Sequence, residues 1–235
     1  LELTEWHGAI NDEGKSILKH MVTKLLNNGF KITLTGGSDY PCLAAHVGEV
    51  KTYVYINGSF NYAAFLKAIN AGQTVIANHK EGWINMKVNG NILGSEIRIK
   101  KGDSVELEIE SDFVGLEPVE IIGNGKVLTT MMSQKKDKAK LKLNLNSSTW
   151  LMAKTPNILT SPIYVIVDNK PIRASAKDAC YLVRYVDYLS VLVNNKTLDL
   201  NKDTELTLSA YAEARTIFMK RFRESGGTEC KTTSS

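Results

Sequence analysis

Hydrophobic and polar positions change their spacing twice along the chain. Between about Glu13 and Asn28, Ile17, Leu18, Met21, Val22, Leu25 and Leu26 recur at helical spacing, with Asp12 as the cap and Gly29 as the stop. Leu1 to Leu3 reads as a preceding strand. Phe30 to Thr35 is an apolar run that predicts a strand, and it enters the tight turn Gly36-Gly37-Ser38-Asp39. Residues 41 to 50 predict an irregular loop and Thr52 to Ile56 a strand. Ser59 is placed to cap a helix from Phe60 to Asn70 that stops at Gly72. From Thr74 the period becomes two. Strands are expected near 74–78, 83–89, 95–100, 104–110, 118–123, 126–132, 138–145, 149–154 and 163–168. Turn signals separate them at Asn89-Gly90, Lys101-Gly102-Asp103, Asn124-Gly125 and Asp168-Asn169-Lys170. Trp83 and Trp150 fall at positions expected to face inward. So many short strands predict an antiparallel β-sandwich of immunoglobulin-like size, without the Cys–Trp–Cys pattern of antibody domains. Helical spacing returns over about Ser175 to Asn195 and Lys202 to Glu224, joined by Thr197 to Leu200, which predicts an antiparallel helix pair. Arg173, Arg184 and Arg215 then read as helix-surface charges.

Charge and cysteine usage alter this picture little. The net charge is +4. Lysines cluster over Gln134 to Lys142, but no aromatic residues interleave with them as they do in nucleic-acid grooves. The alternation Lys138-Ala139-Lys140-Leu141-Lys142-Leu143 marks a half-exposed strand with lysines outward, so no nucleic-acid partner is expected. Cys42, Cys180 and Cys230 are odd in number and lack metal-ligand spacing. Cys180 is expected in the helical core, and Cys230 in a disordered tail over 225–235, polar in composition. No apolar run is long enough to span a bilayer, so no membrane partner is expected. The chain starts at Leu1, which suggests that natural sequence precedes it. The compartment stays open between cytoplasm and periplasm or the outside.

The Gly36-Gly37-Ser38-Asp39 turn carries the candidate chemistry. A strand that delivers a carboxylate just past its C-terminal end is how α/β barrels present metal ligands. The run LLNNGFKITLTGGSDYPC, followed by EVKTYVYING, resembles the last barrel segment of PHP-type metal-dependent hydrolases of the CehA/McbA-like branch. The resemblance continues through FNYAAFLKAINAGQTVIAN, VEIIGNGKVL and SSTWLMAKTPNILTSPIYVIVDNKPI, in family order, from about Leu1 to Arg221.

It implies a fold that is mainly β with α. A barrel remnant would occupy 1–72, the β-sandwich 73–172 and a C-terminal helical hairpin 173–224. It further implies a divalent metal (Zn, Mn or Fe) in the parent enzyme, with Asp39 as a ligand and His46 as a second candidate in the following loop. The implied reaction is hydrolysis of a phosphoester, ester or carbamate bond of a small-molecule substrate by a metal-bound hydroxide.

Several departures limit what carries over. No two of His7, His20, His46 and His79 are separated by one residue, so the family's H-x-H motif is missing. Tyr40 and Pro41 stand where the family turn often continues to a His. Lys51 and Gln73 replace frequent arginines, and Asn78-His79-Lys80 departs from the family's turn. The chain is therefore expected to be the C-terminal portion of a longer enzyme, or a relative that has lost its catalytic half, and to lack stably bound metal and catalysis of its own. Its partner would be the missing N-terminal barrel portion, or a second copy through self-association, because residues 1 to 50 carry an apolar face with nothing to cover it. A module without chemistry, recognising a glycan or a protein, is the alternative.

Overall fold

The computed structural model describes residues 17–38, 40–41, 46–78, 82–113, 116–134, 136–197 and 203–230. The expected strand at Leu1 to Leu3 and the Asp12 cap lie outside them. The described residues fall into two compact units, one within 1–22 and 31–172, the other within 23–30 and 173–235. The architecture is mixed α/β, mainly strands in two sheets, with four helices among the described residues.

In the first unit the chain runs through β1 (Val50–Val54), α2 (Tyr62–Asn70), β2 (Thr74–Asn78), β3 (Gly82–Val88) and β4 (Glu96–Ile99). It continues through β5 (Ser104–Phe113), β6 (Glu117–Gly123), β7 (Lys126–Ser133), β8 (Asp137–Asn144), β9 (Thr149–Lys154), β10 (Ile158–Thr160) and β11 (Ile163–Val167). These agree closely with the expected strands. Two additions stand out. β10, three residues long, is too short to show a period in the sequence. β1 pairs with β2 from Val50↔Asn78 to Val54↔Thr74, a ladder that crosses the sequence boundary drawn at residue 72. Asn61, not Ser59, caps α2, its side chain accepting the Ala64 N–H at 2.8 Å.

β9 organises the larger, eight-stranded sheet. Along one side it pairs with β6, from Glu120↔Lys154 to Gly123↔Leu151, and β6 carries β7. Its other side is shared. Thr149 to Leu151 pair with β11, while Lys154 meets β10, which leads on to β2 and β1. The sheet therefore forks where the chain leaves β10 at Ser161. β4 joins β11 in parallel, Tyr164↔Glu96 to Val167↔Ile99, so the expectation of a purely antiparallel arrangement is corrected at this edge. The smaller sheet has the order β3-β5-β8.

One apolar core lies between the sheets. Ile84, Met86, Val88, Leu107 and Ile109 from the small sheet share it with Ile121, Leu151, Ile163 and Val165 from the large one. Each such side chain contributes roughly 1.5–3 kcal/mol on burial. Buried Ser111 of β5 is hydrogen-bonded to Ser133 of β7, and so ties the two sheets. Strict alternation on β3 puts Ile84, Met86 and Val88 inside, which leaves Trp83 38% exposed, whereas Trp150 is 2% exposed. The expectation of an inward Trp83 is thus wrong by one residue of register. A one-residue shift exchanges the two faces of a strand.

In the second unit α1 (Ile17–Asn27) contributes its C-terminal turn, beside α3 (Ala176–Asn194) and α4 (Thr204–Glu224). Gly29, at φ +78°, closes α1: Phe30 N–H bonds to Leu25 O at 3.1 Å and Gly29 N–H to Leu26 O at 2.9 Å. Ser175 caps α3 by accepting the Asp178 N–H at 3.1 Å. α3 and α4 pair as expected. Arg173 bridges to Glu224 at 2.6 Å and Arg215 to Asp187 at 2.7 Å, so both arginines sit in ion pairs on or beside the helices.

At Gly94 the turn before β4 meets the end of α2 almost backbone to backbone. With φ at +80°, an added Cβ would lie 1.7 Å from the Ala71 carbonyl oxygen. Gly94→Ala is expected to destabilise the protein by about 3 kcal/mol or more, read as a fall in the urea midpoint at unchanged slope. An unshifted midpoint would show that this approach relaxes freely.

Candidate functional site

Residues 30–34 join no ladder, and Thr35 makes only an isolated bridge. The expected strand from Phe30 to Thr35 is corrected accordingly. Its alternate N–H groups are taken up by hydroxyls instead of by a neighbouring backbone. Ile32 N–H donates to Tyr164 Oη at 2.9 Å, Leu34 N–H to Ser161 Oγ at 3.0 Å and Gly36 N–H to Thr52 Oγ1 at 2.7 Å. Carbonyls are returned in kind: the Thr74 hydroxyl donates to Leu34 O at 2.6 Å and Thr52 to Gly36 O at 2.7 Å. Alternate backbone groups of the segment thus face the same way, as in a strand. Hydroxyl-bearing strands answer them.

The candidate turn is built on this lattice. Gly36 lies opposite Thr52 and Ser38 opposite Val50, an antiparallel register with side chains interposed. The Ser38 hydroxyl accepts the Val50 N–H at 3.1 Å and donates to Val50 O at 3.3 Å, and its side chain is buried. The chain is therefore held tightly up to residue 38. Asp39 itself, with Cys42, His7 and His79, lies outside the described residues, as does the side chain of His20.

His46 is described and joins no cluster of metal-ligating side chains among the described residues. Its backbone N–H donates to Glu49 Oε2 at 2.6 Å, closing a short turn, and the residue is exposed. Among the described residues no group of three or more His, Cys, Asp or Glu side chains is arranged to hold a metal ion. The described residues alone therefore do not make a metal site.

Charged groups elsewhere are paired in ways that fit structural roles. On the outer face of the small sheet Lys138 meets Glu110 at 2.8 Å and Lys140 meets Glu106 at 3.0 Å. Those glutamates raise both lysines above the usual ammonium range, first through the hydrogen bond and then through charge. A pocket of about 170 Å³ lies over this ladder, lined in part by Lys87, Glu108 and Lys140. Lys31 bonds Glu96 at 2.9 Å, and that hydrogen bond holds the Glu96 carboxyl below its usual range against a smaller opposing effect of burial.

The sequence reading missed the hydroxyl partners of residues 32, 34 and 36. The available signal was the hydroxyl-bearing residues Thr52, Thr74 and Tyr164 within predicted strands. Comparison of the chain with protein-family models, with curated proteins and with solved structures finds no match.

Two outcomes test the lattice. Ser161→Ala removes the acceptor of the buried Leu34 N–H, and an unpaired buried donor costs about 1–3 kcal/mol. Hydrogen exchange should then quicken at Leu34 by roughly tenfold or more; unchanged exchange would show that Ser161 does not hold the segment. Burial raises the Tyr164 phenol to about 12 from 10.0, partly opposed by its bond to Ile32 O. The folded chain thus keeps a proton that the unfolded chain releases. The stability this confers is complete below pH 10 and is lost as pH rises towards 12, by about 2 kcal/mol. Tyr164→Phe should flatten that alkaline slope in chemical denaturation, and an unaltered slope would assign it to another group.

Proposed function

We propose that this chain is the C-terminal portion of a PHP-type metal-dependent hydrolase, contributing Asp39 to a metal site completed by residues of a preceding barrel portion. The observation that carries this reading is the clamped approach to the turn. The Ser38 hydroxyl is held on both backbone polar groups of Val50, and both backbone polar groups of Gly36 are held by the Thr52 hydroxyl. A ligand that follows such a segment starts from a fixed point, and fixed geometry is what a metal site requires of its supports. A surface turn with no task would not need four hydroxyl-mediated bonds in three residues. The order of the motifs that resemble the family is the second support.

A bound divalent metal supplies Lewis acidity and lowers the pKa of a coordinated water. The substrate class is a small molecule with a phosphoester, ester or carbamate bond. Within this reading the two sheets act as a rigid support for the turn, and the chain has no hydrolysis of its own. The residues between 31 and 38 contribute positioning through backbone hydrogen bonds, not through reactive side chains.

Metal analysis tests this. The isolated chain is expected to retain less than about 0.1 equivalent of zinc or manganese after dialysis, since one credible ligand is too few for tight binding. A longer protein that includes the preceding coding sequence is expected to retain metal and to lose most of it in Asp39→Ala. Stoichiometric, dialysis-resistant metal on the isolated chain would overturn the shared-site reading. Full metal content in the longer Asp39→Ala protein would overturn the ligand role.

A further inference from the structure

Cys180 and Cys230 form a disulfide across fifty residues of sequence. The expectation that Cys230 lies in a disordered tail is corrected, Cys180 is half-buried on its helix, and the cause of the pairing lies in the end of α4. Ser225 ends the helix, and Gly226, at φ +83°, reverses the chain. Gly227 N–H then bonds to Phe222 O at 2.9 Å and Gly226 N–H to Arg223 O at 3.0 Å. Gly227 packs against the Phe222 ring so closely that an added Cβ would lie 2.2 Å from it. The polar composition that reads as disorder in fact supplies a turn, and the turn aims Cys230 back at the start of α3.

The need for a covalent tie is visible in the packing. Phe222 is the buried residue of α4, while Leu206 is 72% exposed and Ile217 38% exposed. A helix that buries one side chain is held weakly by packing alone, and a disulfide adds a constraint that packing there lacks.

We propose that Cys180 and Cys230 are an oxidative modification site, joined after folding by exchange with an oxidised dithiol–disulfide carrier protein, and that the chain works in an oxidising compartment. One thiolate attacks the carrier's disulfide and forms a mixed disulfide, releasing one carrier sulfur. The second thiolate displaces the other carrier sulfur and closes the Cys180–Cys230 bond. The carrier leaves as a dithiol holding the two electrons and the two protons, so the exchange balances. A bond of this kind persists outside the reducing cytosol. Cys42 is then the thiol left over from the three in the chain.

The full chain, first reduced and then equilibrated in glutathione buffers from a cytosolic to a secretory ratio, tests this. Remaining thiols are blocked with maleimide and the protein is digested. At the secretory ratio the peptides carrying Cys180 and Cys230 should be recovered as one linked species, and at the cytosolic ratio as two labelled ones. Recovery of both as separate labelled peptides at the secretory ratio would overturn the proposal. So would a linked species that survives at the cytosolic ratio, since the compartment would then not decide the bond. A second measurement needs no oxidant. Reduction of the wild-type protein should lower its Tm by about 10 °C or more and leave Cys230→Ser unchanged. Equal shifts in both proteins, or none in either, would remove the stapling role.

Discussion

Everything in the sheet unit depends on a small group of buried hydroxyls where the large sheet forks. At Ser161 the chain leaves β10 and has yet to enter β11, so its backbone would sit unpaired beside the core. Its N–H is taken by Thr74 O at 2.9 Å, and its hydroxyl pairs with that of Thr74 at 2.6 Å while accepting from Leu34. Ser161 and Thr74 are both fully buried. Buried polar groups are costly when unmatched, and this group matches each member with another. Two halves of a sheet and a segment from outside it are thereby joined at one point. An apolar residue at either position would fill the space and leave Leu34 with an unanswered donor or acceptor.

Much of the fold was legible because most strands bury one face. β5 alternates without a break from Val105 to Phe113, and the turn pairs Asn89-Gly90 and Asn124-Gly125 carry the positive φ angles that hairpins need. Helix ends were legible for the same local reasons, Gly29 and Ser175 above all. What sequence could not show was partnership. The apolar run Phe30 to Thr35 predicts an extended segment, and says nothing about whether backbone or hydroxyl will meet its polar groups. Three cysteines likewise admit several pairings, and the polar residues around Cys230, which read as a disordered tail, pointed to none of them. The candidate site divides on this line. Its scaffold, Gly36 to Ser38, follows from neighbours that only folding brings together, while His46 is exposed in the loop where the sequence places it.

Charge on the small sheet follows from the same alternation. Glu106, Glu108 and Glu110 stand opposite Lys142, Lys140 and Lys138 in the β5–β8 register. A run of lysines that looks basic in the sequence is thereby neutralised by its neighbour strand. Exposed pairs of this kind add little to stability, yet lysines along β8 keep an open sheet edge from recruiting another chain. A basic stretch and a basic surface are different things.

The parallel pairing of β4 with β11 has a consequence for how the protein is made. β4 ends at Ile99, and its one ladder partner begins at Ile163. During synthesis, at about 5–20 residues per second, β4 must wait several seconds before Ile163–Val167 is translated, and longer until that strand clears the ribosome. Hairpins such as β6–β7 can close within that interval, since both their strands are already in hand. The large sheet cannot. Its final closure waits on β11, and until then the growing polypeptide carries an open edge that the translating cell has to shield.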